Sequence, residues 1–182
     1  MANPGDAAPY GDDYIVRRLD DLQRQIRELG PSVSASFNST VARLSTPDWR
    51  YYGERNFAVP TGAAHLVAVD ITPRQGATSC TFTTIATLNQ VHNTTATTEY
   101  VRLDVNMAAS GTATVAQGLA SVTQSVAAGL FVGMATINTG LIQGLTDATI
   151  ITATAAVSVS SAGFAADPNN LLSVAVIAQF MY

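Results

Sequence analysis

The charged residues of this chain are concentrated in its first third, and this distribution limits what the remainder can fold into. All nine basic residues are arginine, and seven of them precede residue 56, as do eight of the thirteen acids. Residues 56–182 are rich in Thr, Ala, Ser, Val and Gly and lack the Lys and Glu runs of solvent-exposed helices. The shift predicts two structurally different parts that meet near Glu54–Pro60.

A helix with a narrow apolar seam is predicted for residues 14–29. Its apolar side chains recur at spacings of four, three, four and three residues, which is the repeat of a coiled coil. Asp12 and Asp13 supply the capping oxygens and negative charge that a helix N-terminus favours, and Gly30-Pro31 ends the helix. The seam residues are Ile15, Leu19, Leu22, Ile26 and Leu29.

A short helix with so thin a seam is marginal alone in water, so it gains stability by pairing with copies of itself. The mixture of Ile and Leu along the seam favours three strands, and we expect a homotrimer. The alternative is that the helix packs back on its own β domain.

Two segments flank this helix. Residues 1–13 contain Pro and Gly and show no periodicity. This composition is typical either of an extended arm that docks on a partner or of a terminus without fixed structure. Residues 30–56 predict a linker with a short second helix, and its aromatic residues Trp49, Tyr51 and Tyr52 are expected to plug the base of the β domain or a subunit seam. The anchors of the docking arm are Pro4, Pro9, Tyr10 and Tyr14.

Residues 57–182 predict a mainly β domain, an antiparallel jelly-roll sandwich, because short β-branched segments alternate with turn signals and no helical pattern intervenes. One turn is predicted at Asn138–Gly140. The predicted strands are His65–Ile71, Thr81–Leu88, Glu99–Met107, Thr112–Ala116, Ala120–Val126, Gly129–Ile137, Ala148–Val159 and Leu171–Tyr182.

The last predicted strand is apolar on both faces, and the domain has few charges to discourage association. We therefore expect the strand near the core or the symmetry axis of a trimer. The residues assigned to the trimer interface or core are Leu172, Val174, Val176, Phe180 and Tyr182.

Catalytic, metal and cofactor sites are not expected. His65 and His92 lack metal-ligand spacing, and Cys80 lies in a Thr-rich strand pattern typical of a buried, inert thiol. Four side chains carry oxygen atoms that could form a calcium loop, but residues of these types are more typical of ordinary turns. They are Asp147, Asp167, Asn169 and Asn170.

Composition also argues against two kinds of partner. A net charge of −4 is unsuited to nucleic-acid binding. No apolar run approaches the roughly 18 residues that a membrane-spanning helix needs, so membrane insertion is not expected. The acidic N-terminus does not have the pattern of a secretory signal.

The segment DDYIVRRLDDLQRQIRELGP (12–31), followed by a linker and a β domain, resembles small virion proteins of tailed bacteriophages. Minor tail proteins of actinobacteriophages come nearest, and the all-arginine basic set suits a GC-rich genome. Residues 145–179 look like the end of a TNF-like jelly roll, with a strand (149–159), a turn (167–170) and a closing strand (172–177).

The resemblance implies a structural virion protein and not an enzyme: a trimeric fibre or spike, docked by its N-terminus on the tail tip or capsid, whose head binds a host cell-surface receptor. The alternative is a capsid decoration protein, a head fibre bound on the shell. A secreted β lectin ranks third, since no signal peptide is expected and few aromatic residues are present for stacking on sugars.

Overall fold

The computed structural model describes Arg24, which is helical and exposed, and residues 47–182. The chain divides into two compact units, and residues 47–182 lie in the second, Thr46–Tyr182. The predicted docking arm, the coiled-coil seam and the second helix of the linker therefore fall outside the described residues, apart from Arg24 on the predicted helix.

Residues 47–182 form β-strands joined by turns and loops. The strands are β1 (Asp48–Arg55), β2 (His65–Ile71), β3 (Ser79–His92), β4 (Glu99–Ala109), β5 (Thr114–Ala116), β6 (Leu119–Val126), β7 (Phe131–Gln143), β8 (Ile151–Val159) and β9 (Leu171–Met181).

These strands form two antiparallel sheets. One has five strands in the order β1-β9-β3-β7-β5, and the other has four in the order β2-β8-β4-β6. Odd-numbered strands belong to the first sheet and even-numbered strands to the second, so every connection crosses from one sheet to the other. The predicted mainly β, antiparallel two-sheet fold is confirmed.

The hydrophobic core lies between the sheets because alternate residues of each strand point inward. In β4, Val101, Leu103, Val105 and Met107 are buried, whereas Tyr100, Arg102 and Asn106 are exposed. The inward residues of the partner strand β8 are small or β-branched, which suits a pleated surface packed at close range.

The strand β1 corrects the predicted boundaries, since the sandwich begins before residue 57 and includes the end of the predicted 30–56 linker. Asp48 to Arg55 pair antiparallel with Ala178 to Leu171 of β9. The segment DWRYYGER escaped detection because β1 is an edge strand, and on its inward side Arg50 and Tyr52 remain exposed at the margin of the core. Its sequence therefore lacks a clean apolar alternation.

The predicted turn at Asn138–Gly140 is wrong, since β7 runs through it to Gln143. Asn138 is buried opposite Thr84 of β3, and Gly140 is paired with Phe82. A Cβ atom at position 140 would lie 2.2 Å from the carbonyl oxygen of Ala116 and 2.7 Å from the Phe82 ring. The glycine is present because two neighbours approach the backbone closely, which is a common role of glycine inside strands.

Thr84 and Asn138 place two polar groups in the core without partners. Thr84 Oγ1 and Asn138 Nδ2 are buried and make no hydrogen bond with the described residues. A buried hydroxyl without a partner costs free energy because it has lost its hydrogen bonds to water.

We expect Thr84→Val to raise the free energy of unfolding by about 1 kcal/mol, because the shape is kept and an unsatisfied hydroxyl is removed. Urea unfolding at fixed protein concentration measures this change. Thr123→Val, at an exposed position of β6, is the control and should shift stability by less than about 0.5 kcal/mol. A clear loss of stability in Thr84→Val would show that the hydroxyl has a stabilising partner.

Candidate binding surface

The outward face of the four-stranded sheet is polar and internally bonded. Arg102 Nε donates to Asp104 Oδ1 at 2.7 Å, and the Arg102 guanidinium also donates to Ser121 Oγ at 3.2 Å. Thr152 Oγ1 donates to Asp70 Oδ1 at 2.7 Å. Leu66, Tyr100 and Leu119 on this face are also 57% to 60% exposed. They lie on different strands, and polar or small residues occupy the rows between them, so this face carries no continuous apolar patch.

The outward face of the five-stranded sheet has the opposite character. Across β1, β9, β3 and β7, from the Trp49 row to the Gly53 row, the outward positions carry no Asp, Glu, Lys or Arg among the described residues. We call this surface the uncharged face. Its apolar members are Trp49, Tyr51, Ile85, Ala135, Ile137, Ala175 and Ile177.

The register brings these apolar side chains into one patch. Tyr51 pairs with Ala175, Ala175 with Ile85, and Ile85 with Ile137, so one row crosses four strands at about 4.8 Å a step. Trp49 lies beside Ile177, and its ring stacks on Tyr51 with centroids 6.2 Å apart.

Trp49 and Ile137 are each 59% exposed and Tyr51 is 53% exposed, whereas Ile85 and Ala175 between them are half-buried. A contiguous apolar patch on a weakly charged sheet is typical of a protein–protein interface. What the uncharged face offers a partner is apolar surface and shape.

At one end of the sandwich, Glu99 fastens two loops together. Its carboxylate is buried and accepts hydrogen bonds from Ser160 Oγ, from Ser161 Oγ and backbone N–H, and from Thr97 Oγ1, at 2.7 to 3.1 Å. The Ser161 and Ser160 hydroxyls lower the pKa of Glu99 from 4.5 to about 2. A carboxylate this strongly held as an anion is suited to fixing loops and not to donating a proton at neutral pH.

His92 and Asp167 form a second polar contact nearby in the fold. His92 Nδ1 donates to Asp167 Oδ2 at 2.8 Å, and the imidazole stacks on Phe131 with centroids 4.4 Å apart. The pKa of Asp167 is lowered, first by the hydrogen bond from the backbone N–H of Asn169 and second by the hydrogen bond from His92. Asp167 therefore organises the turn that precedes β9.

The four candidate calcium ligands each have other hydrogen-bond partners. Asp147 Oδ1 accepts from the Gly76 N–H, whereas Asn169 donates to Asp167 through its backbone and side-chain nitrogens. Asn170 is buried and donates to the Phe57 carbonyl while accepting from the His92 N–H. Among the described residues, no three His, Cys, Asp or Glu side chains gather where they could hold a metal ion.

The remaining candidate residues are distributed between the core and the surface. Leu172, Val174, Val176 and Phe180 point into the core, while Tyr182 is 45% exposed. Cys80 is buried, and burial raises its thiol pKa to about 11. The seam residues Ile15, Leu19, Leu22, Ile26 and Leu29 and the arm residues Pro4, Pro9, Tyr10 and Tyr14 lie outside the described residues.

The uncharged face was only partly foreseen. The sequence predicts that the outer face of the last strand needs cover, but it puts Ile137 next to a predicted turn and Trp49 and Tyr51 before the predicted β domain. The alternation of apolar and small residues in FVGMATINTGLIQ was the signal that could have located the middle of this face.

Comparisons with protein-family models, curated proteins and solved structures find no match to this chain. In the part that the structure describes, no helix has the length and apolar character needed to cross a membrane.

The Glu99 network predicts a specific pH dependence of stability. Because folding lowers the pKa of Glu99 from 4.5 to about 2, its contribution is fully present above pH 4.5 and is lost as the pH falls towards 2. Glu99→Gln should therefore have a lower Tm than the wild type at pH 7, and the difference should shrink between pH 4.5 and pH 2. Thermal unfolding of both proteins across this range measures the difference, and a Tm gap that stays constant would contradict this role for the carboxylate.

Proposed function

We propose that this chain is a structural protein of a virus particle: a homotrimeric fibre or spike of a tailed bacteriophage, with an N-terminal docking segment and a jelly-roll head exposed for host-surface binding. It has no catalytic role in this proposal. The observation that carries it is the uncharged face, where exposed apolar side chains adjoin across four strands, on a domain whose opposite face separates such side chains with charged and hydroxyl groups.

The strand order supports a jelly-roll head. Within the five-stranded sheet, β1-β9-β3-β7 is one four-stranded unit, and β2-β8-β4-β6 forms the other. With β5 set aside, every connection crosses between the sheets except that from β4 to β6, which pair with each other. Eight strands wound in this way make the two Greek keys of a jelly roll. The short strand β5 is an addition at the edge beside β7.

The uncharged face supports self-association. Cross-strand rows of Trp, Tyr, Ile and Ala would leave apolar surface in water in a solitary copy, and no Lys or Glu is present on the face to discourage contact. Burial of such side chains stabilises by about 25 cal/mol for each Å² of apolar surface removed from water. Aromatic anchors are also the residues that contribute most at interfaces.

The number of copies and the setting come from the sequence. The repeat of Ile15, Leu19, Leu22, Ile26 and Leu29 favours a three-stranded coiled coil. A trimer of heads joined by such a neck is the build of the phage fibres that the N-terminal segment resembles. Docking through residues 1–13 would leave the head free to reach a receptor.

The trimer is tested by paired substitutions on opposite faces. We expect Ile137→Asp to shift the protein from trimer towards monomer at micromolar concentration, because the short neck helix is marginal by itself and an unpaired carboxylate buried at an interface costs about 3–5 kcal/mol. Leu66→Asp is the matched control, since Leu66 is 57% exposed on the polar sheet against 59% for Ile137. Size-exclusion chromatography with light scattering measures the mass. A monomeric wild type, or equal effects of the two variants, would contradict the proposal.

The virion assignment is tested on intact particles from the strain that carries the gene. We expect an antibody against the head to label the tail tip, at a copy number far below that of the major capsid protein. Labelling spread over the shell at a copy number close to that of the capsid protein would instead show a decoration protein. Absence of the chain from purified particles would refute both assignments.

A further inference from the structure

A β-bulge at one end of the uncharged face opens a polar pocket. The register of β3 shifts between Leu88 and Val91, so Asn89 and Gln90 are both exposed where alternation would hide one of them. Gly133 lies opposite the bulge on β7, and a Cβ atom there would come within 2.5 Å of the Asn89 carbonyl oxygen. The glycine therefore permits the bulge.

The pocket has a volume of about 410 Å³ and five lining residues from three segments of the chain. Arg55 reaches it from the end of β1, where it pairs with Leu171 of β9, and Leu171 also pairs with Gln90. Asn169 comes from the turn before β9, which Asp167 organises. The lining residues are Arg55, Asn89, Gln90, Asn169 and Leu171.

Arg55 gives the pocket a positive charge without a counterion. It makes no ion pair with any described residue. Glu54 contacts His65 at 3.4 Å, and the Asp167 carboxylate is engaged by His92 and by both Asn169 nitrogens. A guanidinium presents a fork of N–H donors that fits a carboxylate, so the pocket favours a ligand that carries one.

The other lining groups favour hydroxyls. Asn89, Gln90 and Asn169 offer carboxamides, which donate and accept hydrogen bonds and therefore suit groups that also do both. Leu171 supplies apolar surface. This combination suits a sugar ring, with polar edges and an apolar C–H face.

We propose that this pocket binds a carboxylate-bearing saccharide unit, a uronic acid residue of a glycan. Arg55 pairs with the carboxylate, and the three carboxamides bond the ring hydroxyls. The inference deepens the host-binding part of the proposed function and rests on it for its biological setting, but the chemistry of the pocket stands on the residues described above.

The test is saturation-transfer difference NMR on the full chain with methyl glucuronoside, methyl glucoside and acetate as probes. We expect the glucuronoside to bind with a Kd on the order of millimolar, and about tenfold more tightly than either other probe. Arg55→Gln should abolish the preference for the glucuronoside over the glucoside. Arg50→Gln, at an exposed arginine of the same strand, should leave it unchanged, and thermal unfolding of both variants checks that they fold.

Each other outcome overturns the inference. No binding of the glucuronoside removes the site, equal binding of glucoside removes the role of Arg55, and equal binding of acetate reduces the pocket to a simple anion site. An equal effect of Arg50→Gln would show a non-specific charge effect. Oligomeric mass is measured on the same samples, so a monomer that prefers the glucuronoside would refute the trimer alone, and a trimer without that preference would refute the pocket alone.

Discussion

Strict alternation of side chains across each strand is the constraint on which this domain depends. Every strand but the edge ones must present one set of residues to the core and the other to the outside, and the core set here is almost wholly aliphatic or aromatic. Because Leu172, Val174 and Val176 point into the interior, the residues between them must face outward. The outward-facing side chains therefore determine what the protein can bind.

The two outward sets differ in their chemistry. On the four-stranded sheet, Arg102, Asp104 and Ser121 bond one another and remain compatible with water. On the five-stranded sheet, Tyr51, Ala175, Ile85 and Ile137 share a row with no charge among them. One sandwich thus carries one face on which polar groups are compatible with water and another face that contact with protein would stabilise. The proposed assembly follows from this asymmetry.

The ends of the sandwich are organised by side chains that are far apart in sequence. Glu99 holds the Ser160–Ser161 loop, and His92 holds Asp167 before the last strand. Such bonds stabilise loops that would otherwise be free to rearrange, and they keep Asn169 and Leu171 in place beside the β3 bulge. A pocket lined from three segments requires support of this kind if its groups are to converge on one ligand.

The sequence predicted the fold well at β4, where alternation is clean, and at β2 and β9, whose β-branched or apolar runs are bounded by turn signals; the bounds of β2 coincide with the prediction. The prediction missed β1, because inward residues such as Arg50 stay exposed in an edge strand. It was wrong at Gly140, because glycine is favoured both in turns and where another backbone approaches closely. The uncharged face and the Arg55 pocket depend on strand register and on a bulge. Neither can be read from local periodicity, because cross-strand partners such as Tyr51 and Ala175 are set by the tertiary fold.

The central claim, that copies of this chain cover the uncharged face, is tested most directly by hydroxyl-radical footprinting of its tyrosines. Tyr51 and Tyr100 are 53% and 60% exposed on opposite faces of one chain, so a solitary copy should oxidise both at similar rates. The account predicts that Tyr51 is protected relative to Tyr100 at micromolar concentration and that Ile137→Asp, which places a charge on the same face, removes the protection. Equal oxidation of Tyr51 and Tyr100 in the wild type would contradict it, as would protection of Tyr51 that Ile137→Asp leaves unchanged.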